Sequence, residues 1–252
     1  MDIPIDQSWL EVLLLASVRM IAFLVVAPPF AYHAIPARVK AMLGLGLGLA
    51  VSGRLADGHV PLDTGGFVTA IVLELVTGLA LGFLVYLVFA AVQSAGSLID
   101  LFSGFQMAQA FDPQMMINGA QFTRLLQMAA LALLFASDGY QMVIGGLTGS
   151  FAAFPLAGGI DLARPAEAMI EAVTGMFLCA VQIAGPLLVV LLLADVGLGL
   201  LTRVAPALNA FALGFPLKIL LTLTLAGFLF LGLPRIVVVL SERAVSTLMG
   251  VG

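Results

Sequence analysis

The chain has 252 residues, 62% of them hydrophobic and 10% charged, with a mean hydropathy of +1.17. Soluble domains run about 45–50% apolar and about 25% charged, so a water-soluble fold would leave much apolar surface exposed, and the composition reads as an all-α, membrane-associated protein. A net charge of −4 without any Lys/Arg cluster excludes nucleic acid as a partner, and a single cysteine, Cys179, excludes an intrachain disulfide framework.

The first apolar run, Trp9 to Ala27, is long enough for one bilayer core, with Trp9 suited to an interfacial anchor. Acids stand before it or at its start (Asp2, Asp6, Glu11) and Arg19 interrupts it, so it is expected to stay in the mature chain rather than serve as a cleaved signal. Ala27-Pro28-Pro29 ends it. Arg38 and Lys40 in the next segment point that loop toward the cytoplasm. His33, with no second ligand residue nearby, reads as a loop histidine rather than a metal ligand. Ala41 to Val51 is apolar but too short to span. Gly44 and Gly48 lie one turn apart on it and permit close approach of another helix.

After a polar linker from Arg54 to Gly66, Thr69 to Val92 is a long apolar run whose only charge is Glu74. An acid there is a candidate for ion or proton passage; the plainer reading, and the preferred one, has it meeting water or a partner helix near a helix end. Gln93 to Phe111 continues the helix but changes character. Gln93, Gly96, Ser97, Asp100, Ser103, Gly104 and Met107 share one face, opposite Leu98, Leu101, Phe102 and Phe105. Such a small and polar stripe either packs tightly or faces water.

That helix leads into Phe105 to Arg124, FQMAQAFDPQMMINGAQFTR, the stretch around which the chain is organised. Asp112-Pro113 should stop the helix, because proline disfavours helical geometry in the residue before it, and Asn118-Gly119 adds a turn. Irregular backbone at membrane depth is tolerated only where protein buries it or where it lines a cavity. An internal loop that plugs or lines an opening is therefore expected; the alternative is an ordinary polar loop outside the membrane.

Leu125 to Phe154 reads as a hairpin of two short helices broken at Ser137-Asp138-Gly139, and Pro155 to Pro165 as a surface loop. Ala168 to Ala194 is a long helix with a kink expected at Pro186. Asp195 to Asn209, DVGLGLLTRVAPALN, reads as a second polar interruption, in which Asp195 reaches Arg203 only if the segment bends back. Phe211 to Leu233 is a return helix with a break at Phe215-Pro216. Its only charge, Lys218, is read as snorkelling or paired rather than as part of an ion pathway. The tail from Arg235 to Met249 is mildly amphipathic. The chain has no zinc-type histidine pair, phosphate-binding glycine loop or nucleophile elbow, so neither an enzyme, a bound metal nor a cofactor is expected.

Taken in order, these landmarks resemble the FliR/SctT family of type III secretion export-gate subunits over essentially the whole chain. The matching features are Arg19 followed by Ala27-Pro28, IPARVK at Ile35 to Lys40, and Phe-Asp-Pro at 111–113. The long late helix and DVGLGLLTRVAPALNAFALGFPLK from Asp195 to Lys218 complete the set. The resemblance implies a FliP-like part (1–165) joined to a FliQ-like part (166–252), in the inner membrane at the flagellar basal body. It implies FliP-like and FliQ-like partners around a channel for unfolded secreted polypeptides, FlhB-like and FlhA-like export proteins nearby, and contact with membrane lipid. The family's pore plug carries over to Phe111, Asp112, Pro113, Met115, Met116 and Ile117. Asp100, Ser103, Gln106, Gln109 and Asn118 become pore-facing candidates, and Arg38, Lys40, Arg203, Pro206, Phe215, Pro216 and Lys218 assembly candidates. Two readings stand beside it: a secondary transporter of an ion or small molecule using Glu74, Asp100 and Lys218, and a purely structural membrane scaffold.

Overall fold

The computed structural model describes residues 7–32, 34–57, 59–105, 121–158, 163–205 and 210–249, with only the backbone described at 163–168, 210–212 and 247. Among these residues the chain is helical and carries no strand. The helices are α1 (Gln7–Val26), α2 (Ala37–Leu55), α3 (Thr64–Ser103), α4 (Gln121–Ala136), α5 (Gly139–Ala153), α6 (Ala163–Val204) and α7 (Ala210–Leu248). By length and composition α1, α3, α6 and α7 can each cross a membrane, and α4 with α5 can supply one further broken span. The all-α membrane class expected from composition is therefore what the chain forms.

The chain divides into two compact units. The first comprises Met1–Val88, Asp138–Ala172 and Leu240–Gly252. Here α1 is the centre: Val12, Leu15, Ala16, Met20 and Phe23 are fully buried. Glycines let its neighbours come close. On α2, a Cβ at Gly44 would press on the Ile21 backbone nitrogen at 3.0 Å, and one at Gly48 on Ser17 Cα at 3.0 Å. On α3, Gly78 sits against the carbonyl of Arg19, and a Cβ at Gly82 would lie 3.0 Å from that of Phe23. Helices that meet through glycine gain van der Waals contact between backbones, the main attraction left where lipid is as apolar as the side chains. The small-residue face read on α2 is thus used, and used against α1. The end of α7 also belongs to this unit, burying Leu240, Ala244 and Leu248 on one stripe, with Leu248 over Gly146 of α5.

The second unit comprises Phe89–Ser137 and Val173–Val239. The α4 helix buries Phe122, Leu126, Ala130 and Leu134, a strict one-turn repeat, while Leu125, Met128 and Phe135 face outward. In α6 and α7 the buried positions are few, among them Ala184, Leu187 and Leu191 on α6 and Leu233 and Val237 on α7. Between the two helices lies an apolar cleft of about 430 Å³ beside Pro186 and Phe228.

One expected interruption is absent, and the other begins only after Val204. The polar segment from Asp195 continues α6 as helix to Val204, and Phe215-Pro216 lies inside α7 rather than breaking it. At membrane depth an opened turn strands several backbone groups away from water, whereas an internal proline removes one helix hydrogen bond, so the helix survives. Pro186 is likewise internal to α6. The break at 137–138 falls where the sequence placed it, with Asp138 in the left-handed region at φ 54°. The expected continuation of α3 is not met at 104–105: α3 ends at Ser103, and Gly104 turns away at φ +83°, where a Cβ would strike the Phe215 ring at 2.8 Å; its further course to Phe111 lies outside the described residues.

Candidate functional site

Most of the anticipated plug lies outside the described residues: Phe111, Asp112, Pro113, Met115, Met116 and Ile117, with Gln106, Gln109 and Asn118. What is described is the base from which that stretch departs and to which it returns, and it is built on Asp100. Its side chain is fully buried, in the last turn of α3. Oδ1 accepts the backbone N–H of Phe122 at 2.9 Å; Oδ2 accepts the N–H of Thr123 at 2.9 Å and the Thr123 hydroxyl at 2.8 Å. These are free amides of the first turn of α4, the donors a helix start leaves unsatisfied and where negative charge is favoured.

The neighbours fit this arrangement. Ser97 Oγ lies 3.1 Å from Thr123 Oγ1, and Ser103 Oγ donates to the Asp100 carbonyl at 3.3 Å. A Cβ at Gly96 would stand 2.5 Å from Thr123 Cα, so only glycine lets α4 settle there. On the far side, the rings of Phe105 and Phe122 pack with centroids 5.6 Å apart. The small and polar stripe read on α3 is therefore largely a packing face for α4. Asp100 and Ser103 are both buried among protein.

The other singled-out charges also have partners. Glu74 and Arg19 are 3% and 1% exposed and form a two-pronged ion pair, Nε to Oε2 and Nη2 to Oε1, the latter at 3.0 Å. Arg19 Nη1 donates to the Phe154 carbonyl at 2.8 Å, and its guanidinium lies 4.1 Å from the Phe151 ring centroid. The Ala157 N–H donates to Glu74 Oε1 at 3.2 Å. Every side-chain nitrogen and oxygen of the pair thereby has a partner, the condition under which ions tolerate burial. Glu74 accordingly meets a partner helix, but not water, and it lies well inside α3 rather than near a helix end as the plainer reading had it. Lys218 pairs with Asp195 at 2.5 Å, the two side chains 17% and 44% exposed. Asp195 thus faces α7 and not Arg203, because α6 does not bend back.

Of the assembly candidates, Arg38, Arg203 and Pro216 are exposed, Lys40 is buried, Phe215 lies over Gly104, and Pro206 falls outside the described residues. His33 falls outside them as well. Sequence reasoning missed the Arg19–Glu74 match. The available signal was that Arg19 is the one basic residue of α1, that Glu74 is the one charge of the run from Thr69 to Val92, and that their signs are opposite. It also missed Glu11, whose Oε2 accepts the Leu62 N–H at 3.0 Å and lies 3.4 Å from His59 Nε2.

Comparison with known proteins assigns the chain. The family model described as bacterial export proteins, family 1, matches residues 10–244. The chain belongs to this family. Among its relatives are two proteins named flagellar biosynthetic protein FliR. The one from Escherichia coli (strain K12) is 32% identical over 222 residues, covering 88% of this chain and 85% of that protein. The one from Pectobacterium carotovorum subsp. carotovorum is 33% identical over 226 residues, covering 90% and 85%. Yop proteins translocation protein T of Yersinia pestis is 27% identical over 162 residues, covering 64% of this chain and 62% of that one. For a bacterial export protein of family 1, the matched span takes in the Arg19–Glu74 pair, the Asp100 base and the Asp195–Lys218 pair together.

Proposed function

We propose that this chain is a non-enzymatic subunit of the type III secretion export gate in the bacterial inner membrane. It joins FliP-like and FliQ-like subunits to form the channel through which unfolded flagellar polypeptides cross the inner membrane. The observation that carries this reading is the family match across residues 10–244, with flagellar biosynthetic proteins among the relatives. The fold supports it. In α1 and α3 about half of the most apolar stretch is buried inside the chain (50% and 56%), but in α6 and α7 only 28% and 22%. Phe177, Leu193, Leu220, Leu223, Phe228 and Leu231 all point outward. These faces suit neighbouring subunits and lipid, and they fall in the 166–252 part that resembles FliQ. FlhB-like and FlhA-like export proteins are the further partners of such a gate.

Residues 111–117 are proposed as its plug, flanked by Gln106, Gln109 and Asn118. Flexible Met115 and Met116 side chains can close around an irregular gap and repack when a polypeptide enters. An apolar constriction also resists ion leak by dewetting. The transporter reading gains no support, since Glu74, Asp100 and Lys218 each serve a partner within the fold. Co-expression with FliP-like and FliQ-like proteins tests the proposal: a stable complex retaining this chain through purification is expected, and a chain that purifies alone from membranes containing both would overturn it.

A further inference from the structure

We propose that the start of α2 binds the headgroup of an anionic phospholipid, with the Lys40 ammonium and the open amides of the first helical turn as donors. Such a site needs only a bilayer around α1, whether or not the chain lines an export channel.

The helices set its depth. The 20 residues of α1 rise about 30 Å, the thickness of one hydrocarbon core, so its two ends fall at headgroup level. Gly48 meets Ser17 and Gly44 meets Ile21, so α2 runs antiparallel to α1 and starts beside the end of α1. Lys40 is the next position on that face, since the buried residues of α2 are Lys40, Gly44, Gly48 and Ser52, each four apart.

This helix start is built for an anion. Pro36 precedes it without a side-chain cap hydrogen bond, and its first turn holds no acid. The Val39 and Lys40 N–H groups donate to the Pro36 carbonyl, whereas those of Ala37 and Arg38 have no acceptor among the described residues. Open amides at the positive end of a helix favour negative charge. Lys40 is only 8% exposed, yet no acceptor among the described residues takes a hydrogen bond or ion pair from its ammonium. Among those residues no buried side-chain nitrogen is without a partner, so the Lys40 tip opens to the outside while its stem is covered. Side chains on a helix lean toward its N-terminus, which carries that tip over the first turn and its open amides. A cation at this end of a helix is unfavourable alone, and an anion shared between ammonium and amides reverses that. At headgroup depth the phosphodiester of a lipid is the anion at hand. A zwitterionic headgroup brings its own ammonium against Lys40 and the exposed Arg38, so a net negative one is preferred.

Amide hydrogen exchange at Ala37 and Arg38, in the full chain reconstituted into lipid nanodiscs, tests the site. Exchange is expected to be slower by about tenfold or more in phosphatidylglycerol than in phosphatidylcholine, as hydrogen bonds to a charged acceptor imply. Lys40→Met keeps the packed stem without the charge and should remove most of that difference, and Lys40→Arg should preserve it. Arg54→Gln, in the last turn of α2, should leave it unchanged. Equal exchange in the two lipids would overturn the proposal, as would slowing that survives Lys40→Met. Inorganic phosphate that slows exchange as much in phosphatidylcholine would overturn the lipid as the source of the anion. Protection that appears in phosphatidylcholine once FliP-like and FliQ-like partners are present, with nothing added by phosphatidylglycerol, would assign the site to a partner's acidic side chain and overturn it too. The lipid comparison on the parent chain decides the matter even if Lys40→Met does not fold.

Discussion

Two ion pairs among the described residues, Arg19–Glu74 and Lys218–Asp195, sit in opposite surroundings. Arg19 and Glu74 are closed off by Phe151, the Phe154 carbonyl and the Ala157 amide. Lys218 and Asp195 lie on helices whose apolar surface is mostly uncovered, and Asp195 is nearly half exposed. The first pair joins α1 to α3 and to the loop after α5, so it holds one unit of the chain together. The second faces whatever surrounds α6 and α7. The enclosed pair serves the fold; for the outward pair we propose a role in assembly.

Breaking the enclosed pair should have the largest effect. Arg19→Ala or Glu74→Gln leaves one buried group without its partner, which typically costs about 3–5 kcal/mol. The expected result is a chain that unfolds at much lower temperature in detergent and accumulates poorly in membranes. Replacing both at once, Arg19→Met with Glu74→Leu, should recover much of that loss, because no orphan charge remains. A double variant as unstable as either single one would show that the pair does more than satisfy itself.

Next come the glycine contacts. Gly78→Leu forces a side chain against the Arg19 backbone and should cost about 1–3 kcal/mol, whereas Gly46→Leu, which meets open space, should be tolerated by the isolated chain. Thermal unfolding of the two variants side by side measures the difference.

The smallest effect on the lone chain is expected from the outward pair. Asp195→Asn or Lys218→Met should shift its stability by about 1 kcal/mol or less, in the range of partly exposed ion pairs. The yield of co-purified complex should nevertheless fall. Equal loss from the lone chain and the complex would erase the contrast between the two pairs.

Much of this was legible from composition and spacing, for physical reasons that can be named. Apolar run lengths located the helices, and Ser137-Asp138-Gly139 announced its turn because few residues accept a left-handed backbone. Proline was over-read at Pro216, and polarity at Asp195, because rules learned in water overstate helix breaking where unpaired backbone has no solvent. The polar stripe around Asp100 was seen, but its purpose was not. A helical wheel shows which residues share a face, not whether water or a returning helix meets them. Thr123, the residue that answers the question, lies 23 positions away from Asp100. Likewise, the separation of 55 positions from Arg19 to Glu74 hides their match from any local pattern.

The central claim is that residues 111–117 close a protein-conducting passage inside an assembly of export proteins. A photoreactive amino acid at Met116, in the complex co-expressed with its partners and loaded with an arrested secretion substrate, tests it most directly. An adduct between position 116 and the substrate polypeptide is expected, with none from the outward-facing Leu231. Adducts with lipid at 116, or substrate adducts at Leu231 instead, would contradict it.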